Sequence, residues 1–358
     1  MCFAGNWSAR VRSAESRHAA AIADAAALPH PHFGLRSRLV RTLSLLGAVA
    51  VGAVLIGIAV GSVTVPLTAL WQVLTGEGSA LHRTLIFELR VPRVLAAFAT
   101  GGLLAMAGAL MQVLLRNPLA DPYVLGLAGG AAVGALGAML LGFGMVAVSG
   151  SAFAGALVST IMVFGLAHGT GSWTPTRLLL TGVVVAAGWG ALITFMLVIG
   201  PTERIPGMLY WLMGDLSYAR SPWAALGTLA LALAVITPLG RSLNVLARGP
   251  MQAATLGVAV RPLEWGIYIA ASLLTAAAVT TAGTIGFIGL IVPHMLRLMF
   301  GADQRLLLPA AALAGGTLLV LADTLARVVI APEQLPVGVI TALLGVPTFL
   351  YLLYRSRF

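Results

Sequence analysis

Lysine is missing from all 358 residues, so every one of the 21 basic side chains is an arginine. A phosphate loop of the G-x-x-x-x-G-K-[ST] type needs its lysine to reach the nucleotide phosphates, so no such loop exists here. If ATP drives this protein, another chain hydrolyses it. Cysteine occurs once, at Cys2, which excludes an intrachain disulfide framework and a thiolate metal site. Charge is scarce: 9% of residues are charged, against about 25% in a soluble domain. Several uncharged runs exceed the ~18 residues that mark a membrane span, which excludes a soluble helical protein. No Ser/His/Asp set or carboxylate pair suggests an enzyme. No acidic residue falls in mid-span, which argues against a proton or sodium relay.

What is present is apolar and small. Hydrophobic residues make up 59% of the chain, glycine occurs 42 times, and mean hydropathy is +0.99. Helices in lipid lack a hydrophobic drive to associate, so small residues at four-residue spacing let backbones approach. Gly126, Gly130 and Gly134 have that spacing, as do Gly101, Ala105 and Ala109.

The stretch Arg90–Gly130 sets the pattern. Arg90 and Arg93 flank Pro92, an uncharged run follows from Val94 to Leu115, and then comes a polar turn, Arg116 to Pro122. Two prolines in that turn reverse the chain. The hydropathy pattern predicts ten spans: Thr42–Val63, Val94–Leu115, Tyr123–Leu141, Val146–Ala167, Leu178–Ile199, Trp223–Leu239, Leu263–Ala282, Ile285–Phe300 (broken by Pro293), Leu306–Val329 and Val337–Tyr354. Residues 1–38 read as a disordered cytoplasmic tail and 39–358 as one membrane domain. Trp211, Tyr210 and Tyr218 suit an interfacial position.

With the N-terminus inside, fifteen of the 21 arginines fall in the cytoplasm. Arg83, Arg90, Arg93, Arg204, Arg220 and Arg327 fall outside. The positive-inside rule supports this orientation, with both termini cytoplasmic. The net charge of +10 therefore reports topology, not nucleic-acid binding. No internal sequence repeat is evident.

Three features stand out from this frame. Arg90, Arg93 and Arg327 sit at outer mouths, where they either snorkel to lipid phosphates or grip carboxylates of an external protein. Arg327 lies four residues after Asp323, so an intrahelical pair is an alternative. The polar stretch Gly240–Pro262 is too long for a turn and reads as an interfacial helix or one that docks into a cytoplasmic partner. His294 reads as a packing or hydrogen-bonding histidine, since no second ligand stands four residues away.

Together the motifs resemble the FecCD family, permease subunits of binding-protein-dependent ABC importers for iron chelates, haem and cobalamin. They are Arg90-Val-Pro-Arg93; Gly108-x3-Gln112-x3-Arg116-Asn-Pro-Leu-Ala-Asp-Pro122 with Leu125-Gly126; Arg177-Leu-Leu-Leu-Thr-Gly182; Tyr210-Trp-Leu-Met-Gly214; Leu246-x2-Gly249-x7-Gly257; Gly283 to His294 with Arg297; Ala322-Asp323-x3-Arg327; and Leu335-Pro-Val-Gly338 with Gly345-x-Pro347. The resemblance covers nearly everything after residue 40. It implies an all-α membrane fold of about ten helices, the type II ABC importer permease architecture. It also implies a permease dimer, homodimeric by expectation, two ATPase subunits carrying ATP and Mg, and a periplasmic or lipoprotein binding protein, all at the bacterial inner membrane in contact with lipid. No cofactor in this chain is implied.

By resemblance, Arg90, Arg93 and Arg327 receive acidic residues of the binding protein. Leu243, Leu246, Gly249, Ala253, Ala254, Leu256 and Gly257 belong to the ATPase-coupling segment, although Pro250 and Met251 replace an acidic residue common there. Thr174 and Thr176 flank a cytoplasmic gate, with Pro175 where a hydroxyl is common. Asn117, Pro118, Asp121, Pro122, Pro293, His294 and Asp323 are structural motif positions. An iron chelate, ferric siderophore or haem, is the expected cargo, with cobalamin as the alternative. An ion-coupled secondary transporter is the rival of another class.

Overall fold

A computed structural model describes residues 32–355 except 64, 169–173, 218 and 220. Most of the predicted tail, and Tyr218 and Arg220, lie outside the described residues. Two compact units result. Residues 1–44 form one, whose described part is the first half of helix α1; residues 45–358 form the other and hold everything discussed below.

Thirteen helices and no strand occur among the described residues. They are α1 (His32–Ala59), α2 (Leu67–Thr75), α3 (Ala80–Leu114), α4 (Leu127–Leu140), α5 (Met145–His168), α6 (Pro175–Ile199), α7 (Ile205–Met213), α8 (Trp223–Leu246), α9 (Pro250–Thr255), α10 (Val260–Ala282), α11 (Ile288–Phe300), α12 (Gln304–Val328) and α13 (Val337–Arg355). Eight are long and apolar enough to cross a membrane, and α4 and α11 are shorter apolar helices. These ten match the ten expected spans in order.

Helix α3 is the axis. Of its most apolar stretch 89% is buried, against 11% for α6. It packs antiparallel to α12 with backbones in contact: a Cβ on Gly101 would stand 2.2 Å from the Gly315 carbonyl oxygen. Farther along, a Cβ on Gly108 would stand 1.8 Å from the carbonyl of Gly289 in α11. The expected small-residue packing is thus present, and Gly130 of α4 likewise abuts Gly155 of α5.

The two short helices begin inside the bundle. The predicted turn after α3 continues into a 3₁₀ segment, Pro122–Leu125. Helix α4 then starts at Gly126 (φ 70°) beside Ser159, deep within α5, and Ser159 Oγ donates to the Gly126 carbonyl at 2.9 Å. Helix α11 starts after Phe287 (φ 72°). The two starts are joined: the Ile285 N–H donates to Tyr123 Oη at 3.2 Å. Backbone freed at such breaks survives in a membrane because protein partners satisfy it.

Candidate docking and coupling ends of the bundle

The antiparallel packing of α3 and α12 brings Arg90, Arg93, Asp323 and Arg327 together at one end. Asp323 is fully buried. Its carboxylate accepts from Arg93 Nη2 at 2.8 Å and Nε at 3.0 Å, and lies 3.0 Å from Arg327 Nε. Arg93 Nη1 also donates to Gln334 Oε1 at 2.6 Å and to Ser217 Oγ at 3.3 Å. Arg90 Nη1 donates to the carbonyls of Ile58 and Ala59 at 2.9 and 2.8 Å, and its Nη2 donates to that of Val63. Arg327 donates to the carbonyls of Gly57 and Val60 at 2.9 and 3.0 Å. These are the orphan acceptors at the end of α1, a favourable place for cations.

None of these three guanidinium groups stands free at the mouth. Arg90 and Arg327 are 7% and 3% exposed, and the Arg93 side chain 11%. Each is held by intramolecular acceptors, and the Asp323–Arg327 pair occurs as the spacing allowed. Arg93 and Arg327 share the Asp323 carboxylate, whereas Arg90 is bonded to carbonyls alone; Ser217, which accepts from Arg93 Nη1, in turn donates to Asp215 Oδ1 at 2.6 Å, so a second carboxylate stands beside the cluster. The aromatic expectation splits: Tyr210 is exposed, whereas Trp211 is buried in the bundle instead of lying at an interface. Its backbone carbonyl packs against Gly283.

Between the ends, Asn117 Oδ1 accepts from the Leu119 N–H at 2.9 Å and Asp121 Oδ1 from the Tyr123 N–H at 2.8 Å, closing the polar turn. Surrounding protein pushes the Asp121 carboxyl up to about 6. Arg116 starts this turn at φ 49°, the left-handed region usually left to glycine. His294 is buried next to Pro293, and its Nδ1 has no hydrogen-bond partner among the described residues. Sequence reasoning quoted Gln112 and Arg297 only as motif letters. Here Arg297 Nη2 donates to Gln112 Oε1 at 2.9 Å and Gln112 Nε2 to the Leu290 carbonyl at 3.2 Å, tying α3 to α11.

The opposite end holds the predicted coupling segment, with altered boundaries. The helical span does not stop at Leu239 but runs on to Leu246, and α10 begins at Val260. Leu243 and Leu246 are buried parts of that span, and Ala253 is buried under α9. They face the fold, not a partner. Ala254, Leu256 and Gly257 are exposed, and Gly249 (φ 128°) makes the turn into α9. The largest unanticipated feature is Met251, 83% exposed beside Leu256 at 68%. Two large exposed apolar side chains, one on α9 and one at its C-cap, are a candidate contact surface.

Thr174 is the N-cap of α6: its Oγ1 accepts from the Arg177 N–H at 3.3 Å, with Pro175 at the first helical position. Thr176 is exposed in the first turn. The rest of the predicted gate turn, residues 169–173, lies outside the described residues.

The family model described as the FecCD transport family matches residues 49–355. The chain belongs to the FecCD transport family. Among its FecCD relatives, the hemin transport system permease of Yersinia pestis is 38% identical over 83% of this chain and 90% of its own length. The Fe(3+) dicitrate transport system permease FecD of Escherichia coli is 38% identical over 86% and 96%. A cobalamin import system permease of Halobacterium salinarum is 42% identical over 77% and 74%. Among solved structures, a metal-chelate type ABC transporter in an inward-facing conformation matches 89% of this chain and all of its own at 30% identity, with a TM-score of 0.76. The all-α bundle is therefore the fold of an ABC permease.

Proposed function

We propose that this chain is the permease subunit of an ATP-driven importer that carries an iron chelate, ferric siderophore or haem, across the bacterial inner membrane. The observation that carries the reading is the likeness of nearly the whole chain to a metal-chelate ABC transporter, together with the haem and ferric-dicitrate permeases among its relatives. Cobalamin is the second reading, favoured by the 42% identity to a cobalamin permease.

In this reading, ATP and Mg are handled by a pair of separate ATPase subunits, and two permease copies enclose the pathway. The apolar side chains of Met251 and Leu256 enter the ATPase surface, with Gly249, Ala254 and Gly257 shaping the approach. The arginine end receives the substrate-binding protein. Arg93, with the most open guanidinium of the three, is the group a partner carboxylate reaches. ATP-driven closure of the ATPases then shifts the permease between outward- and inward-open states, each favoured by different contacts.

The deciding experiment offers labelled ferric siderophore, haem and cobalamin to cells that lack only this chain, with and without ATP depletion. Loss of one ATP-dependent uptake, restored by the gene, is expected. Uptake that survives ATP depletion while the proton gradient holds would replace the importer by an ion-coupled transporter.

A further inference from the structure

At the coupling end an asparagine bonds the last turn of one span to the start of another. Asn244 lies in the last turn of α8, a residue between the two buried leucines of the coupling segment. Its Nδ2 donates to Asp303 Oδ1 at 2.8 Å, and its Oδ1 accepts from the Gln304 N–H at 2.7 Å. Only this amide orientation satisfies both partners, since the reverse would set two oxygens face to face. The Gln304 N–H is an orphan donor of the first turn of α12, so the end of one helix caps the start of another. Asp303 is itself the N-cap of α12, accepting from the Arg305 N–H at 3.0 Å. The backbones are also close: a Cβ on Gly240 would lie 3.0 Å from the Arg305 nitrogen. The Arg305 guanidinium, 2.7 Å from Asp303 Oδ2, holds that carboxyl down to about 2, so Asp303 stays a charged acceptor at any working pH.

Helix α12 runs from this clamp to the arginine cluster. Its 25 residues span about 37 Å at 1.5 Å per residue. Its inner face is laid against α3, with Gly315 against the Gly101 backbone and Gly316 against Phe98. Its far end carries Asp323 and Arg327, each bonded to other elements. One continuous helix thus has both ends fastened by directed polar contacts, one to the coupling segment and one to the docking cluster.

We propose that Asn244 is a positioning residue that pins the coupling segment to α12, and that α12 is the strut carrying movement between the ATPase side and the binding-protein side. This rests on the importer reading above. In mechanical terms, pressure on Met251 and Leu256 displaces α9 and the last turn of α8. The clamp makes the start of α12 follow, and the shift reaches Asp323 along α12, past Pro309 and over the backbone contact with α3.

The test uses the whole transporter, with its ATPase subunits and binding protein, in liposomes, with haem, ferric dicitrate and cobalamin offered in parallel. The readout is cargo imported per ATP hydrolysed. Asn244→Ala is expected to lower that ratio at least ~fivefold, the lower range of an allosteric coupling. Asn244→Asp alone sets two carboxylates together and lowers it as well. Asp303→Ala removes the same contact from the α12 side, and the double variant Asn244→Ala with Asp303→Ala is expected to lower the ratio no further than Asp303→Ala alone, a non-additivity that mere loss of folding would not show. An unchanged ratio in Asn244→Ala overturns the pin, as do additive effects in the double variant. A wild-type transporter that imports none of the three cargos overturns the importer reading itself, and that control separates the two failures.

Discussion

Asp323 is bonded to two guanidinium groups, and its loss would strand Arg93 and Arg327 in a buried site. Removing one partner of a buried pair costs about 3–5 kcal/mol, because the other charge stays behind uncompensated. Asp323→Ala is expected to lower stability by about that amount in thermal unfolding of the purified protein. Asp323→Ala combined with Arg93→Ala should cost less than the sum of the two. The same geometry changes how docking can be probed. Reversing Arg90 and Arg93 to glutamate would aim one carboxylate at Asp323 and another at the carbonyls ending α1. Misfolding, not a docking defect alone, is the expected result. A second residue-scale prediction concerns Asp121. Its carboxyl is raised to about 6, so the folded state holds the proton more tightly than the unfolded chain, whose carboxyl titrates near ~4. Stability from this group therefore rises as pH falls from above 6 toward 4. Asp121→Asn keeps an acceptor for the Tyr123 N–H and should remove that part of the profile. Unfolding temperatures of the two proteins between pH 4 and 7 would check it, and parallel profiles would refute it. At this scale the sequence showed what lies close along it. The Asp323–Arg327 pair is an i,i+4 neighbour and was legible. The Arg93–Asp323 pair is separated by 230 positions, and no local pattern encodes it.

At the scale of elements, the ten apolar helices were legible because twenty apolar residues in a row have little choice but to be a helix in lipid. Where α4 and α11 begin was not. Hydropathy reports composition, not depth, and Phe287 in a left-handed conformation has no sequence signal of the kind glycine gives at Gly126. The coupling segment was misjudged at its edge for a related reason. Arg241, Ser242 and Asn244 look like loop, yet their polar groups project from a helix that simply emerges from the membrane. Met251 stood out in the sequence only as the replacement of an acidic residue, because an exposed methionine looks like any apolar letter. The packing of α3 on α12 gives the prediction at this scale. Gly315→Ala would place a Cβ 2.4 Å from the Gly101 carbonyl oxygen, and backbone cannot step aside as a side chain tip can. Overpacking of this kind costs about 1–3 kcal/mol. Gly52, where a Cβ meets nothing within 4 Å, is the control. Gly315→Ala should lower the unfolding temperature clearly and Gly52→Ala should leave it unchanged or raised; equal effects would mean that the helices can separate freely.

At the scale of the whole molecule, the open question is which end faces which compartment, and the charge distribution argues for one answer. The arginine cluster and the clamp at Asn244 lie at opposite ends of α12, so assigning one assigns the other. Placing Met251 in the cytoplasm puts Arg241, Arg248, Arg261, Arg297 and Arg305 there as well, all within the loops and helix ends around the coupling segment. Positive residues near span ends are retained on the cytoplasmic side. Placing the same end outside would translocate all of them and leave Arg83, Arg90, Arg93, Arg204, Arg220 and Arg327 inside, of which Arg90 and Arg327 are buried and carbonyl-bound. Trp71 of α2, 68% exposed and set between the first two spans, marks the opposite face. A Cys2→Ser background removes the one native thiol. On it, Trp71→Cys is expected to react with a membrane-impermeant maleimide in intact spheroplasts, and Met251→Cys only after the membrane is opened. Protection of Met251→Cys by co-expressed ATPase subunits in opened membranes would add the contact to the topology. Labelling of Met251→Cys in intact spheroplasts would invert the molecule, and with it the placement of both the docking end and the ATPase.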